Sequence, residues 1–313
     1  MSSAEASRLL RFRGHAYFRQ RLILATLAGR PVRIDQIRPD DEEPGLRDFE
    51  VSFLRLLEKI TNGSAVEISY TGTSVYFQPG IVYGGSIVHE CPTSRGVGYF
   101  LEYMVIIAPF AKQEVALTLR GITNGHGDLG ADTIRTVTIP HLALCLPLDS
   151  VSMLASSLEM RIVKRGAAPL GGGEIFFRAP LIATLRPLNF VEPGRIRKIR
   201  GIASAVRVSP QMSNRMIDAA RSVLNRYIPD LYLFSDVYRG DESGKSPGFA
   251  MSLVATSTTG AMHASETTSL PGQTPEDVGL LTARSLLASI ESGGCVDAMH
   301  QPLILILMAL GPE

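Results

Sequence analysis

The 313-residue sequence predicts an α/β (α+β) fold made of repeated βαβαββ subdomains with a small α/β domain inserted. Three observations carry this. Strand and helix patterns alternate twice in the same order. Each round closes with a β-hairpin. A stretch of different character, 185–272, then follows between flanks rich in Pro, Gly, Ser and Thr, as domain boundaries usually are.

The first round has a strand at 8–13, a helix "AYFRQRLILATLA" (16–28) stopped by Gly29, and a strand "VRIDQI" (32–37). The helix "LRDFEVSFLRLLEKI" (46–60) follows, with Phe49, Phe53, Leu56, Leu57 and Ile60 at helical spacing on one apolar face. "AVEISY", the turn Thr71-Gly72-Thr73 and "SVYFQ" make the hairpin. The second round repeats strand (86–90), helix (97–111), strand (115–122), a helix around 131–145, and the hairpin "EMRIVKRG…GGGEIFFRA". A period of roughly 90 residues is too long for a solenoid and suggests duplicated subdomains. The insert reads strand (196–206), helix (210–226), strand (231–238) and strand (249–257), its helix capped by Ser209-Pro210. A third copy is expected to begin in 273–313, where Thr274 caps a helix, Pro275 takes its first position and Gly293 stops it. That copy is unfinished at Glu313.

A net charge of +1 gives no global attraction to polyanions, so such contact requires local patches. Three scattered cysteines argue against a disulfide framework or a thiolate zinc site, and the longest apolar run, "LILILMAL" (303–310), is too short to span a bilayer. These features predict a soluble intracellular protein.

Most motif candidates fail on spacing. "RGDESGKSPG" (239–248) encloses three residues between Gly240 and Gly244, one short of a phosphate-binding P-loop, and a β run follows it instead of a helix. It reads as a solvated basic hairpin loop. "RGITNGHGDLGAD" (120–132) gathers Asn124, His126, Asp128 and Asp132 but lacks the ladder of a calcium loop. The six histidines show no zinc spacing, and no GxSxG elbow occurs. Neither a metal nor a cofactor is expected. What remains is basic: Arg8, Arg11, Arg13, Arg19, Arg21, Arg30, Arg33 and Arg38 near the N-terminus, then Arg195, Arg197, Lys198 and Arg200 in "RIRKIRG". Guanidinium forks suit phosphate oxygens, although charge runs are often only solvated faces. On strict alternation, Arg195, Arg197 and Ile199 share one face of a strand, and Ile196, Lys198 and Arg200 the other.

Taken together, "RPVRIDQIRPDDEEPGL" (30–46), "TGTSVYFQPGIVYGG" (71–85), "RGITN" (120–124), "KRGAAPLGGGE" (164–174) and "GGCVD" (293–297) resemble the RNA 3′-terminal phosphate cyclase family over essentially the whole chain. "EVSFLRLLEKITNGSAVEISYTGTSVYFQPG" (50–80), "RVSPQMSNRMIDAA" (207–220) and "RGDESGKSPGF" (239–249) are similar to its eukaryotic cyclase-like branch, which works in ribosome biogenesis. Cyclases adenylate a histidine and then activate an RNA 3′-phosphate. The resemblance places Phe12 and Ala16 where cyclases have Glu and Gln, Asp41 where they have a basic residue, and Pro302 and Leu303 where they have an Asp-Gln pair. Their nucleophilic histidine lies in a segment beyond Glu313, and none of the six histidines present matches it.

The resemblance therefore implies a non-catalytic, nucleolar factor of the small-subunit processome, required for pre-18S rRNA processing. Its implied partners are a nucleolar GTPase and pre-rRNA, with no membrane. Its rivals are a pre-rRNA endonuclease, which needs carboxylates converging on metals, and a residual cyclase. The matched segments place Arg19, Arg38 and Arg165 together in the old catalytic groove as an anion or RNA site, with Gly171, Gly172 and Gly173 forming a tight turn beside it. Arg195 and Arg197 are the expected partner or RNA contact.

Overall fold

The computed structural model describes residues 9–147 and 158–312; Arg8 lies outside them. In the first unit, β1 (Leu10–Arg13) pairs in parallel with β2 (Val32–Asp35) across helix α1 (Phe18–Ala28). Gly29 ends that helix at φ +62°, its N–H reaching back to the Ala25 and Thr26 carbonyls. Helix α2 (Asp48–Ile60) follows. A short ladder of β3 (Thr61–Asn62) and β6 (Ile81–Val82) flanks the hairpin of β4 (Ala65–Ile68) and β5 (Val75–Gln78), and β5 joins β2 antiparallel. The sheet order is β1-β2-β5-β4.

The second unit has β7 (Gly85–Glu90), α3 (Val97–Ile107) and β8 (Val115–Gly121). Next come α4 (Ala131–Thr133), a π-helical turn (Ile134–Thr138) and α5 (Ile139–Leu144), then β9 (Glu159–Lys164) and β10 (Gly173–Ala179). Its order, β7-β8-β10-β9, has the same parallel and antiparallel senses as the first sheet, so 32–35 and 115–121 are equivalent strands and the two hairpins are equivalent too. Val32 faces Phe77 in one sheet as Leu117 faces Phe177 in the other, all four buried. Both units contribute to one core that holds Leu22, Phe53, Phe77, Phe100, Leu117 and Phe177. Helix α3 is apolar apart from Glu102 and buried throughout most of its length, which is why it sits inside that core.

The insert reuses similar elements in another order. β11 (Ile196–Val206), α6 (Pro210–Leu224), β12 (Leu231–Tyr238), β13 (Gly248–Ser257) and β14 (Met262–Thr268) give the order β12-β11-β13-β14, with the first strand inside instead of at the edge. Ser209 caps α6 as expected, accepting from the Gln211 N–H. β14 is a correction to the Ser- and Thr-rich flank that closes the insert: the backbone of "SETT" (265–268) completes the sheet against β13. Small and polar side chains on both faces hide that strand from a hydrophobicity pattern.

The expected third copy over 273–313 is also corrected. Helix α7 (Pro275–Ser292), capped reciprocally by Thr274 and Asp277, packs on the insert. Val278, Ala283 and Leu286 share a core with Ile199, Met216 and Leu253. Only α8 (Gln301–Leu310) returns to the repeats, burying Leu303 and Leu307 in their core. A one-sided apolar helix announces that it packs but not against what. Among the described residues, no helix is long and apolar enough to cross a membrane.

Candidate functional site

A cavity of about 390 Å³ opens where the loop before α1 meets α2 and α3, and its charged lining is Arg19, Arg38, Glu50 and Arg95. Each guanidinium has a carboxylate of its own. Arg38 holds Glu50 through two bonds of 2.8 Å, and the Glu50 carboxylate also accepts the Arg47 N–H at 2.9 Å, closing the start of α2. Arg19 donates to Glu102 at 2.9 Å and to the Tyr99 carbonyl at 2.7 Å. Arg95 grips Asp128 with its fork, and Asp128 accepts the Gly96 N–H at 2.8 Å.

Tyr99 lies between two of these cations, with the Arg19 and Arg95 guanidinium carbons 4.1 and 4.9 Å from its ring centre. Helical spacing explains the cluster: Tyr99, Glu102 and Tyr103 fall on one face of α3, and Arg19 also covers the Tyr103 ring at 4.5 Å. Arg38 (φ +43°) and Tyr17 (φ +56°) both hold left-handed backbone at the cavity wall, a strain that the ion pair to Glu50 helps retain at Arg38.

The pairing shows in the acidities. The hydrogen bonds that Arg38 donates to Glu50 raise it above its ordinary value against the opposing effect of burial, and Asp128 does the same for Arg95. Burial pushes Glu102 up even with Arg19 beside it, and pushes the Tyr99 hydroxyl well above its usual range. Three guanidiniums thus face three carboxylates, and this cavity carries no surplus positive charge.

Arg19 also lines a wider cleft of about 530 Å³ between the repeats and the insert, shared by Glu102, Asp128, Glu266 and Ser285. Glu266 on β14 accepts the Gly130 N–H at 2.8 Å and the Thr133 hydroxyl at 2.5 Å, and burial raises its pKa. Among the described residues, no three His, Cys, Asp or Glu side chains are placed to hold a metal.

Arg165 stands apart from Arg19 and Arg38, a correction to the expected trio. It is 1% exposed, donates to Asp132 at 2.7 and 2.8 Å, and donates to Asp236 of the insert at 2.6 Å. Burial alone disfavours its charge, but the two carboxylates outweigh burial and raise its pKa. An external anion has no route to it. The glycine turn belongs to the same joint. A Cβ on Gly173 would come within 2.6 Å of the Gly166 nitrogen, and one on Gly172 within 3.3 Å of the Gly244 Cα. Gly171 and Gly172 also hold φ of +61° and +81°.

The backbone of repeat two crowds Gly171 and Gly173, and the loop 239–248 crowds Gly172, so that loop is not freely solvated. Its Gly244 N–H donates to the Arg165 carbonyl at 2.6 Å, and its Lys245 N–H to the Gly171 carbonyl at 2.9 Å. Ser243 and Ser246 are buried. The Gly171 N–H is spent on the Ala167 carbonyl. The triple glycine is a backbone seam between repeat two and the insert.

Arg195 and Arg197 are exposed, but the expected alternation breaks. β11 shifts register between Ile196 and Lys198, so Ile196 and Ile199 both face the helices. Sequence reasoning missed Glu50, Arg95, Glu102 and Tyr99, and weighed Asp128 only as a metal ligand. Only the (i, i+3) spacings Arg47–Glu50 and Tyr99–Glu102 hinted at them.

A duplicated βαβαββ core with an arginine-lined cavity between its two units, and a mixed four-stranded insert beside it, defines a cyclase-type scaffold. Residues 10–313 match the family described as "RNA 3'-terminal phosphate cyclase", and the chain belongs to that family. Within it, the chain is 50% identical to the "rRNA processing protein rcl1" of Schizosaccharomyces pombe, covering 97% of this chain and 83% of that protein. It is 49% identical to the human "RNA 3'-terminal phosphate cyclase-like protein" (97% and 81% covered) and 41% identical to the "rRNA processing protein RCL1" of Saccharomyces cerevisiae (99% and 83%).

Proposed function

We propose that this chain is a non-catalytic cyclase-like factor in rRNA processing, acting in the nucleolus within the small-subunit processome by binding a GTPase partner and pre-rRNA. The observation that carries this is the charge balance of the groove, set beside relatives named for rRNA processing. Phosphoryl chemistry needs cations free to neutralise developing charge, whereas Arg19, Arg38 and Arg95 are each committed to a carboxylate.

Three of the positions that the resemblance assigns to catalysis are engaged otherwise here, which supports this reading. Phe12 lies under Arg21, whose guanidinium carbon is 4.7 Å from its ring centre. Asp41 pairs with Arg47 at 3.2 Å, and Leu303 is buried in the core. Incubation with α-labelled ATP and magnesium is expected to leave the protein unlabelled. A covalent nucleotidyl adduct would overturn the non-catalytic reading. Exposed Arg195 and Arg197 are the proposed partner or RNA contact; reversing both to Glu should weaken association with the GTPase or with pre-rRNA, and unchanged affinity for both would move the contact elsewhere.

A further inference from the structure

The insert's sheet carries α6 and α7 on one face only: Ile199, Leu233, Met251 and Leu253 point into their core. Alternation then commits Arg200, Ile202, Tyr232, Phe234, Ser252 and Val254 to the other face. Register sets Arg200 beside Tyr232 and Ile202 beside Phe234 across the parallel pair. The π-helical turn covers part of this face, where Val137 packs on Val254 and Ala264.

The β12 side stays open, leaving Tyr232 53% and Phe234 49% exposed with ring centres 4.3 Å apart, edge to face. Beneath them lies a cavity of about 300 Å³ between the sheet and Thr136, lined by Lys198, Arg200, Ile202, Phe234 and Val254. Two half-bare aromatic rings on an edge strand are a hydration cost and an aggregation hazard unless something covers them.

Charge says what covers them. Arg197, Lys198 and Arg200 gather at this end of the sheet, and one carboxylate, Asp230, answers them, paired with Arg200 at 2.8 Å. The Arg200 hydrogen bond, followed by the charges of Lys198 and Arg197, holds Asp230 below the ordinary carboxylate range, which places all three cations within its field. The other acids on this face are taken up elsewhere, Asp236 by Arg165 and Glu266 by the Gly130 N–H and the Thr133 hydroxyl. Unlike the groove, this patch has a surplus of positive charge.

We propose that the open face of the insert sheet binds single-stranded RNA, with an unstacked base on Phe234 at the cavity mouth, a neighbour against Tyr232, and phosphates along Arg197, Lys198 and Arg200. Exposed rings beside uncompensated cations on an open sheet suit a flexible polyanion that carries π-faces. A duplex keeps its bases stacked and has none to give. The inference rests on the RNA arm of the function proposed above and gives it a surface.

The test measures binding of a labelled single-stranded oligoribonucleotide to the whole chain at two salt concentrations. Phe234→Ala is expected to weaken binding roughly five- to a hundred-fold, the range for losing one stacked base. Phe234→Tyr should restore it, and Lys198→Glu should weaken binding and flatten its salt dependence. Phe234 is half exposed, so an unchanged melting temperature separates lost binding from lost fold. RNA binding that Phe234→Ala and Lys198→Glu both leave intact would overturn this surface while the proposed function stands. If the wild-type chain binds no RNA, the RNA arm of the function falls with it. Equal affinity for duplex RNA, or a Phe234-dependent preference for an acidic peptide over RNA, would also overturn the assignment.

Discussion

Arg165 shows how one side chain can hold two folding units together. Its guanidinium satisfies Asp132 of repeat two and Asp236 of the insert, and lies 5.4 Å from the Tyr238 ring centre. Replacing it with Met leaves Asp132, 1% exposed, with the half-exposed Arg135 as its remaining cation at 3.3 Å; breaking such a buried pair costs about 3–5 kcal/mol. Arg165→Met should lower the denaturant midpoint accordingly, and a loss under about 1 kcal/mol would show that water reaches the carboxylates. Histidines set a second residue-scale expectation. Burial first, then neighbouring positive charge, lowers His89 and His141 to about 4. Neither ring nitrogen of His141 makes a hydrogen bond of ordinary geometry, its weak approach to the Val137 carbonyl notwithstanding.

The folded state therefore resists taking up protons that the unfolded chain accepts near pH 6.5. Stability from these groups is full above pH 6.5 and lost as pH falls toward 4. Glu102 and Glu266, raised by burial, act in the opposite sense, so the informative measurement is a difference. The melting temperature of His141→Leu, relative to wild type, should climb as pH drops from 6.5 to 4. Parallel curves would refute a neutral buried imidazole.

Among the elements, the contact of α6 with α7 is an expected point of failure. A Cβ on Gly279 would overlap the Met216 carbonyl, which is backbone and cannot swing aside. In an open helix Gly→Ala gains about 1 kcal/mol; here the helices must separate, and the cost of overpacking, about 1–3 kcal/mol, wins. Gly279→Ala should destabilise the protein in chemical denaturation, and any stabilisation would mean the helices have slack. The same contact marks how far sequence reaches. Caps at Ser209, Thr274 and Gly29, the hairpins and the apolar faces were legible because each is fixed by residues within a turn or two. The partner of α7 was not, since its buried face fits the repeats or the insert equally well by pattern. β14 was lost because Ala264 and Ser265, both buried, do not look like a core strand. The groove was half legible: Arg19 and Arg38 were found from motifs, but the carboxylates that neutralise Arg19 and Arg95 are 83 and 33 positions away in sequence.

At the scale of the whole molecule there are two main cores and one seam. The repeats share the first core, and the insert with α7 owns the second. The seam is made of backbone, because Gly166, Gly171, Gly172, Gly173 and Gly244 leave room for nothing larger. Gly172→Val combines a strained φ of +81° with a collision against Gly244 and Lys245. It should make the fold more open to proteolysis at 239–248 while leaving both cores intact by circular dichroism. Unaltered cleavage there would show that the loop does not depend on the glycine turn.

The return of α8 to the repeats has a consequence for the order in which the chain is made. The buried residues of the insert core end at Leu286, whereas the repeat core still lacks Leu303 and Leu307 at that point. On a translating ribosome, where domains fold as units once their residues emerge, the insert can close while the two repeats, begun first, still wait. A nascent chain stalled with residues up to Gly294 outside the exit tunnel should yield a protease-resistant insert beside a digestible N-terminal half. Moving the stall until Leu310 has emerged should protect both. Equal protection of the repeats at the earlier stall would mean that α8 is ornament to their core and not its closure.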